Sequence, residues 1–566
     1  MKPTEGLSAF AVYKKMLAQK PSESANKLRK LKSKNGKKLK GLNAKKILLG
    51  IENNDINIKT TKSAITESKS ESSTKCKHKS IRKDKDSPDS EKTQKKRKKV
   101  KRNGSNSDSP SINVTENSSS DEIKSMREDA DGKIELNDPI KDGLQLFEWL
   151  ISPVSPKEFF KTYWETEPLY IGRMNKKYHS HLLSSVNLDT MLRENNLYYT
   201  RNIDVVVYQN EEKEVLNPEG KATPSALWDF YSNGCSIRVL NPQTYNKKIH
   251  IMLSTLQEYF GSMVGANVYL TPPGSQGFAP HFDDIEAFVL QIEGRKHWKL
   301  YYPKDEDVLT RYSSKNFKHD ELGEPFLEVS LEAGSMLYFP RGIIHEGWTD
   351  SDTHSLHITV SVYQNNAYVD LLEKALPHAL AKAARSDVEF RKGLPLHFLR
   401  SDKAKKIMRK KVTNLMEKLQ EYLDIEDGIV ELGRKLVYDS MPPALSSEEL
   451  VGSSIQGGDL LDNGLVYNKV EFDLNNKIRL TRYHCIQLEH KGENVKLYYS
   501  TENSKVYHGE EEQWLELEKP MVPVIKYLQK TFPNFVEIKD LPLEDVELKI
   551  QFVYDLWEKG ILITTA

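Results

Sequence analysis

The sequence predicts an α+β protein: a jelly-roll β-core, a helical segment behind it and a small C-terminal α+β unit. Three observations carry this reading. From about residue 200 to 365, short alternating strands are separated by Pro/Gly turns. Residues 371–450 return to a helical period. Charge divides the 566-residue chain into a basic arm and an acidic body.

The arm comes first. Residues 1–110 hold 31 Lys+Arg against 11 Asp+Glu, and the remainder holds 52 against 70. Between Tyr13 and Phe147 there is no aromatic residue, and Lys, Ser, Asn and Asp dominate. Such a segment buries too little apolar surface to offset chain entropy, so residues 1–133 are expected to be disordered. The exception is "LSAFAVYKKML" (7–17), which has the pattern of a short amphipathic helix or docking motif. Lysine-rich runs at 27–46 and 95–102 resemble nuclear or nucleolar addresses and would attract RNA or DNA without sequence preference. A solvated charged tail is the plainer alternative.

Folded sequence starts near Ile134. "GLQLFEWLI" and "SPKEFFKTYWETEPLYI" have helical spacing with aromatics on one side, and Ser155–Pro156 offers a helix start. Strands follow as "SIRVL", "ANVYLTP", "AFVLQI", "HWKLYYP", "SMLYFP" and "LHITVSVY". In "IMRKKVTNLMEKLQEYL", Met408, Val412, Leu415, Leu419 and Tyr422 form an apolar stripe. It fits packing within its own domain or, as a second reading, a dimer contact. After the Gly/Ser break at 451–459, the order of strands and helices predicts a winged-helix-like unit (451–566). Its 13 basic and 19 acidic residues argue against binding in a DNA groove.

The three cysteines, Cys76, Cys235 and Cys485, lack CxxC spacing. A disulfide framework or cysteine-rich zinc module is therefore excluded, and a reducing compartment fits. Without an apolar run of membrane-spanning length or a signal-peptide pattern, a soluble protein made in the cytosol, with no membrane partner, is expected.

The chemistry concentrates in "PHFDDIEAFVLQIEGRKHWKLYYP" (280–303). Residues two apart on a strand share a face, so His281 and Asp283 can converge on one ion while Phe282 and Asp284 point away. A turn followed by a hairpin accounts for the same residues without a metal. A third ligand would come from His297, His319, His345, His354 or His357. His345 is the strongest, because the turn Pro340–Arg341–Gly342 presents it at a strand end. HxD with a later histidine matches the 2-His-1-carboxylate triad, which leaves open positions on non-haem Fe(II). Neighbouring strands carry cavity-type polar faces: Asn267, Tyr269 and Thr271 on one, Ser355, His357, Thr359, Ser361 and Tyr363 on another. A 2-oxoglutarate co-substrate needs a cation for its far carboxylate, which Lys296 can supply from the next strand.

"NVYLTPPGSQGFAPHFDDIEAFVLQIEGRKHWKLY", "PRGIIHEG" and "HSLHITVSVYQ" resemble the JmjC-domain ribosomal oxygenases. Within them they are most similar to the nucleolar histidyl-hydroxylase branch, also described as bifunctional lysine-specific demethylases. The resemblance runs from about 134 to the C-terminus. It implies a double-stranded β-helix (cupin-like) JmjC domain at 134–370, a helical dimerisation region at 371–450 and the winged-helix domain behind it. It implies Fe(II) on His281, Asp283 and His345, with 2-oxoglutarate and O2 as co-substrates. Lys296, helped by Asn267 and Thr359, would hold 2-oxoglutarate, and Arg238, Tyr269 and Ser361 would contact the peptide. The implied reaction couples decarboxylation of 2-oxoglutarate to hydroxylation of a histidine on a large-subunit ribosomal protein. The same-class rival is histone-tail lysine demethylation with transcriptional repression. A non-catalytic chromatin or ribosome-assembly scaffold is the different-class rival, and a small-molecule oxygenase a further one. A homodimer in the nucleus, in nucleolus and nucleoplasm, is the implied setting.

Overall fold

The computed structural model describes residues 111–114 and 138–565, apart from 457, 469, 493, 503–504 and 506–510. The docking motif at 7–17 and both lysine runs lie outside the described residues. One stretch of the arm departs from the expectation of disorder. Ser111–Val114 (β1) pairs in parallel with Leu169–Arg173 (β2), extending the sheet at an otherwise open edge.

Eleven strands form the main sheet system. After β1 and β2 come β3 (Ile203–Gln209), β4 (Glu212–Val215), β5 (Ser236–Leu240), β6 (Val264–Thr271) and β7 (Glu286–Tyr301). Then follow β8 (Leu327–Glu332), β9 (Met336–Phe339), β10 (Ile344–Trp348) and β11 (Ser355–Val362). Their order is β1-β2-β9-β7-β11-β6-β5-β3-β4, with β8 and β10 added on β7.

The two predicted strands "AFVLQI" and "HWKLYYP" are one strand, β7. Its first half lies between β9 and β11, and its second half lies between β8 and β10. Gly294 makes the corner at φ +66, where a Cβ would stand 1.8 Å from the carbonyl oxygen of His354. The bend lets one strand serve both walls of the jelly roll.

Alternation along the strands sorts side chains between two interiors. Phe288 and Leu290 of β7 and Leu356, Ile358 and Val360 of β11 join the outer core. There they meet helices α1 (Pro139–Ile151), α2 (Pro156–Thr162) and α3 (Lys247–Phe260). Phe147 sits at the centre, its ring centroid 5.4 Å from Phe159, 4.7 Å from Tyr259 and 5.2 Å from Phe260. Ala287, Val289 and Trp298 turn the other way, into the barrel. Ser155 caps α2 as expected, accepting from the Glu158 amide at 3.3 Å. The helical reading of "SPKEFFKTYWETEPLYI" ends at Thr162, because "LYI" is part of β2.

Behind the barrel, α4 (Tyr368–Ser386), α5 (Asp402–Leu419) and α6 (Ile425–Asp439) form the helical segment. The stripe on α5 packs only at its C-terminal end, where Leu419 and Tyr422 meet Ala379 and Ala383. Val412 remains half exposed. No described helix is long and apolar enough to cross a membrane.

The C-terminal unit packs α7 (Val522–Thr531) and α8 (Val546–Glu558) with two three-stranded sheets around its own core. The stretch "KIRLTRYHCIQLEH" forms two strands, Lys477–Leu480 and Ile486–Lys491, separated by a 3-10 turn at Tyr483–Cys485. That turn inserts a buried polar cluster between this unit and α3. His484 Nδ1 lies 3.0 Å from Glu258, and its Nε2 lies 2.9 Å from Gln257. Arg482 bonds Glu449 at 2.7 Å.

Candidate active site

The polar faces of β6 and β11 and the inward face of β7 enclose a cavity of about 460 Å³. The nine residues assigned from the sequence to metal, co-substrate and peptide line it: Arg238, Asn267, Tyr269, His281, Asp283, Lys296, His345, Thr359 and Ser361. Of the other polar-face residues His357 joins them, whereas Thr271, Ser355 and Tyr363 do not, Tyr363 packing against the outer core instead. Pairing explains the convergence. Thr359 stands opposite Asn267 across β11 and β6, and Arg238 stands opposite Tyr269 across β5 and β6.

His281 and Asp283 are not on a strand, as the spacing had predicted, but in the extended segment just before β7. His281 is held by an isolated bridge to His345. His345 is not in a turn; the turn at 340–343 ends one residue before β10 begins, and His345 is the second residue of that strand. The three side chains still meet. Each histidine Nε2 lies 3.8 Å from Asp283 Oδ2, and one ligand atom from each of the three falls within 4.8 Å of the others.

Protonation suits a divalent cation. His281 Nδ1 lies 2.8 Å from the Ala279 carbonyl, and His345 Nδ1 lies 3.1 Å from the Ile343 carbonyl. A carbonyl only accepts, so each Nδ1 carries the proton and each Nε2 turns a lone pair inward. Burial, reinforced by His281, pushes the His345 pKa down to about 4, so this ring is neutral at physiological pH. Two imidazoles that turn Nε2 inward and a carboxylate on one side of a shared point fit Fe(II) with open positions.

Supporting contacts fix the ligands from behind. The Gly342 amide donates to the Asp283 carbonyl at 3.0 Å. Gly342 has φ +91, and a Cβ there would lie 2.3 Å from the Asp307 carbonyl oxygen. Arg341 bonds the wholly buried Glu286 at 2.7 Å and Glu165 at 2.6 Å, while Tyr338 donates to Glu286. This network ties the turn before His345 to the start of β7.

Lys296 is buried, and its ammonium has one hydrogen-bond partner, Thr271 Oγ1 at 3.3 Å. It has no carboxylate partner among the described residues. Burial alone pulls its pKa down to about 7. A desolvated amine in a polar cavity, with donors left over, is a ready partner for an anionic carboxylate. Trp298 lies under it, 5.4 Å from ammonium to ring centroid. His357 stacks on Tyr269 at 4.9 Å.

The other histidines go elsewhere. His297 bonds Asp350 at 2.8 Å, His354 bonds Glu293 at 3.1 Å, and His319 bonds Glu346 at 3.2 Å. Arg238 is already paired, its Nε 3.1 Å from Asp204.

Several lining residues escaped the sequence reading. Lys213 comes from β4 and lies 4.3 Å over the ring of Phe278. Ser313, Ser314 and Asn316 come from the long loop 302–326, and Gln364 follows β11. None sits in a periodic pattern. The strict alternation of β6 and β11 was the only signal available for this wall. Asp284, expected to face away, also lines the cavity.

A family model described as "JmjC domain" matches residues 238–370, and "Ribosomal oxygenase 1, C-terminal winged helix domain" matches 441–566. "Bifunctional lysine-specific demethylase and histidyl-hydroxylase NO66" of Aedes aegypti is 45% identical over 438 residues, covering 75% of this chain and 68% of that protein. "Ribosomal oxygenase 1" of Danio rerio is 45% identical over 432 residues, covering 74% and 79%. "Ribosomal oxygenase 1" of Gallus gallus is 42% identical over 441 residues, covering 76% and 73%.

Proposed function

Because this chain belongs to the JmjC ribosomal oxygenases, the family of those relatives, we propose that it hydroxylates a histidine on a large-subunit ribosomal protein. It is an enzyme of the Fe(II)- and 2-oxoglutarate-dependent class. The observation that carries this reading is one cavity holding both the three-donor set and Lys296, which has no carboxylate partner among the described residues.

We assign His281, Asp283 and His345 to the iron, which supplies dioxygen activation when bound. Lys296, with Asn267 and Thr359 beside it, takes the far carboxylate of 2-oxoglutarate. Arg238, Tyr269 and Ser361 lie along the wall toward the substrate. The chain's own part is to hold the cation with two imidazoles and a carboxylate, fix the co-substrate by one buried charge and exclude water with Trp298, Phe339 and Val289.

Histone lysine demethylation, with repression of transcription, is the second reading, since both activities appear in the relatives' names. Lys213 and Arg238 flank Phe278 at the rim. An inert scaffold has no use for a buried lysine aimed at a three-donor site.

The divisions 1–133, 134–370, 371–450 and 451–566 are part of the proposal. So is a homodimer through the helical segment, supported by the exposed Ile407, Val412 and Met416 on α5. A nuclear and nucleolar setting, with the basic arm touching RNA or DNA, follows from the arm's composition.

The deciding experiment incubates the full chain with iron, 2-oxoglutarate and either a ribosomal histidine peptide or a methylated histone tail. A gain of one oxygen on the first, without methyl loss on the second, supports the hydroxylase. Methyl loss alone transfers the proposal to the demethylase, and no succinate with either peptide defeats both.

A further inference from the structure

We infer that Asp284 is a positioning residue for the peptide-facing rim of the cavity, acting through loop 302–326 rather than through the metal. Its effect on substrate rests on the protein-hydroxylase reading above.

Asp284 follows Asp283 directly, yet its carboxylate has two partners of its own. Oδ1 accepts from Ser313 Oγ at 2.7 Å, and Oδ2 accepts from Gln364 Nε2 at 2.9 Å. One side chain therefore ties three segments together: the entry to β7, the loop and the residues after β11. Asp284, Ser313 and Gln364 all line the cavity, as do Ser314 and Asn316 next along the loop.

The loop runs alongside the segment that carries His281 and Asp283. The Ser314 amide donates to the Phe282 carbonyl at 2.9 Å, the Phe282 amide donates back to Ser314 Oγ at 2.9 Å, and the Phe317 amide donates to Pro280 at 2.8 Å. At the near end, Arg311 grips the first turn of α4. It reaches Asp370 at 2.8 Å and Glu373 at 2.8 and 2.9 Å. Asp370 is itself buried and accepts from the Ala367 amide at 2.8 Å.

A loop of this length has no ladder to hold it apart from two short 3-10 turns at 305–307 and 319–321. These polar anchors hold its part around 311–317, while Phe317 and Leu322 pack against Phe282, Tyr301 and Ile344. Charge-assisted and two-pronged contacts are the stronger kind, and Asp284 and Arg311 make them on either side of Ser313. Among the described residues, no hydrogen bond joins the loop to Lys296, whose one partner is Thr271. Loosening it should affect the peptide and spare the co-substrate. It also places the rim in mechanical contact with the helical segment.

The test uses the full chain with Asp284→Ala, Arg311→Ala and Arg311→Lys. Three quantities are measured: amide hydrogen exchange in 309–317, 2-oxoglutarate affinity of the Mn(II)-loaded protein, and kcat and KM for a ribosomal histidine peptide. Both alanine variants are expected to speed exchange in 309–317 by about tenfold. Peptide KM should rise by about tenfold, with kcat and 2-oxoglutarate affinity within about twofold of wild type, and Arg311→Lys should recover part of the loss. Unchanged exchange in 309–317 overturns the inference. So does a fall in kcat together with metal affinity at constant KM, which would make Asp284 a support for Asp283. A wild-type chain that oxidises no histidine peptide defeats the hydroxylase reading instead, and the exchange rates still decide whether Asp284 holds the loop.

Discussion

His281 and His345 are bonded to each other through their backbones. The His281 amide donates to the His345 carbonyl at 3.2 Å, and the His345 amide donates to the His281 carbonyl at 2.8 Å. Their ring centroids are consequently 4.5 Å apart, although the residues are far apart in sequence. The spacing of two proposed ligands is thus set by main-chain pairing, which side-chain substitution leaves in place.

Replacing either histidine with alanine should therefore remove the metal site without unfolding the barrel. Mn(II) affinity, read by electron paramagnetic resonance, is expected to fall at least about 100-fold. The melting temperature without metal should stay within a few degrees of wild type.

Lys296 predicts a proton signature. Its pKa is held near 7 by burial, and an arriving carboxylate favours the charged form. At pH 8, 2-oxoglutarate binding should take up close to one proton, seen as a dependence of calorimetric enthalpy on buffer ionisation. Lys296→Met should abolish that dependence and weaken binding by about 100-fold or more. With its unfolded value near 10.5, Lys296 contributes a gain in apo stability between pH 7 and 10.5, because the unfolded chain binds the extra proton there, and Lys296→Met should remove that part of the pH dependence.

The cluster between α3 and the C-terminal unit behaves in the opposite sense. Burial opposes charge on His484, but the Glu258 carboxylate and the Cys485 sulfur together outweigh it and lift the pKa to about 10. A raised pKa gives stability that is complete below the unfolded value of 6.5 and lost as pH climbs toward 10. The His484 contribution to melting temperature should decline across that window, by about 2–4 °C per kcal/mol lost, opposing the rise contributed by Lys296. His484→Gln should flatten the decline.

Phe147 is wholly buried among Phe159, Tyr259, Phe260 and Phe288. Phe147→Ala should cost about 3–5 kcal/mol in chemical denaturation, as large cavities do. Its effect on the peptide KM of the surviving folded fraction should be small, because the aromatic core lies on the far side of β7 from the cavity.

The walls of the cavity were legible because β6 and β11 alternate strictly. Val268 and Leu270 against Asn267 and Tyr269 already say which side is dry. Lys296 was readable in phase with Trp298, and Gly294 between the two halves of β7 was the signal of a bend, although it reads equally well as a break. Loop 302–326 could not be read, since Ser313, Ser314 and Asn316 owe their place to contacts with 280–284 and α4 rather than to any period. Lys213 was hidden for a similar reason: β4 is short and exposed, and only the sheet order brings it to the rim. The winged-helix order was visible, but the turn at Tyr483–Cys485 was not, because a buried histidine between apolar strands looks like strand until its carboxylate partner on α3 is known.

The bent strand β7 begins three residues after Asp283 and carries Lys296 on the same stretch of main chain. A newly made chain that threads this strand out of register misplaces the metal ligand and the co-substrate anchor together. Such a molecule is silent.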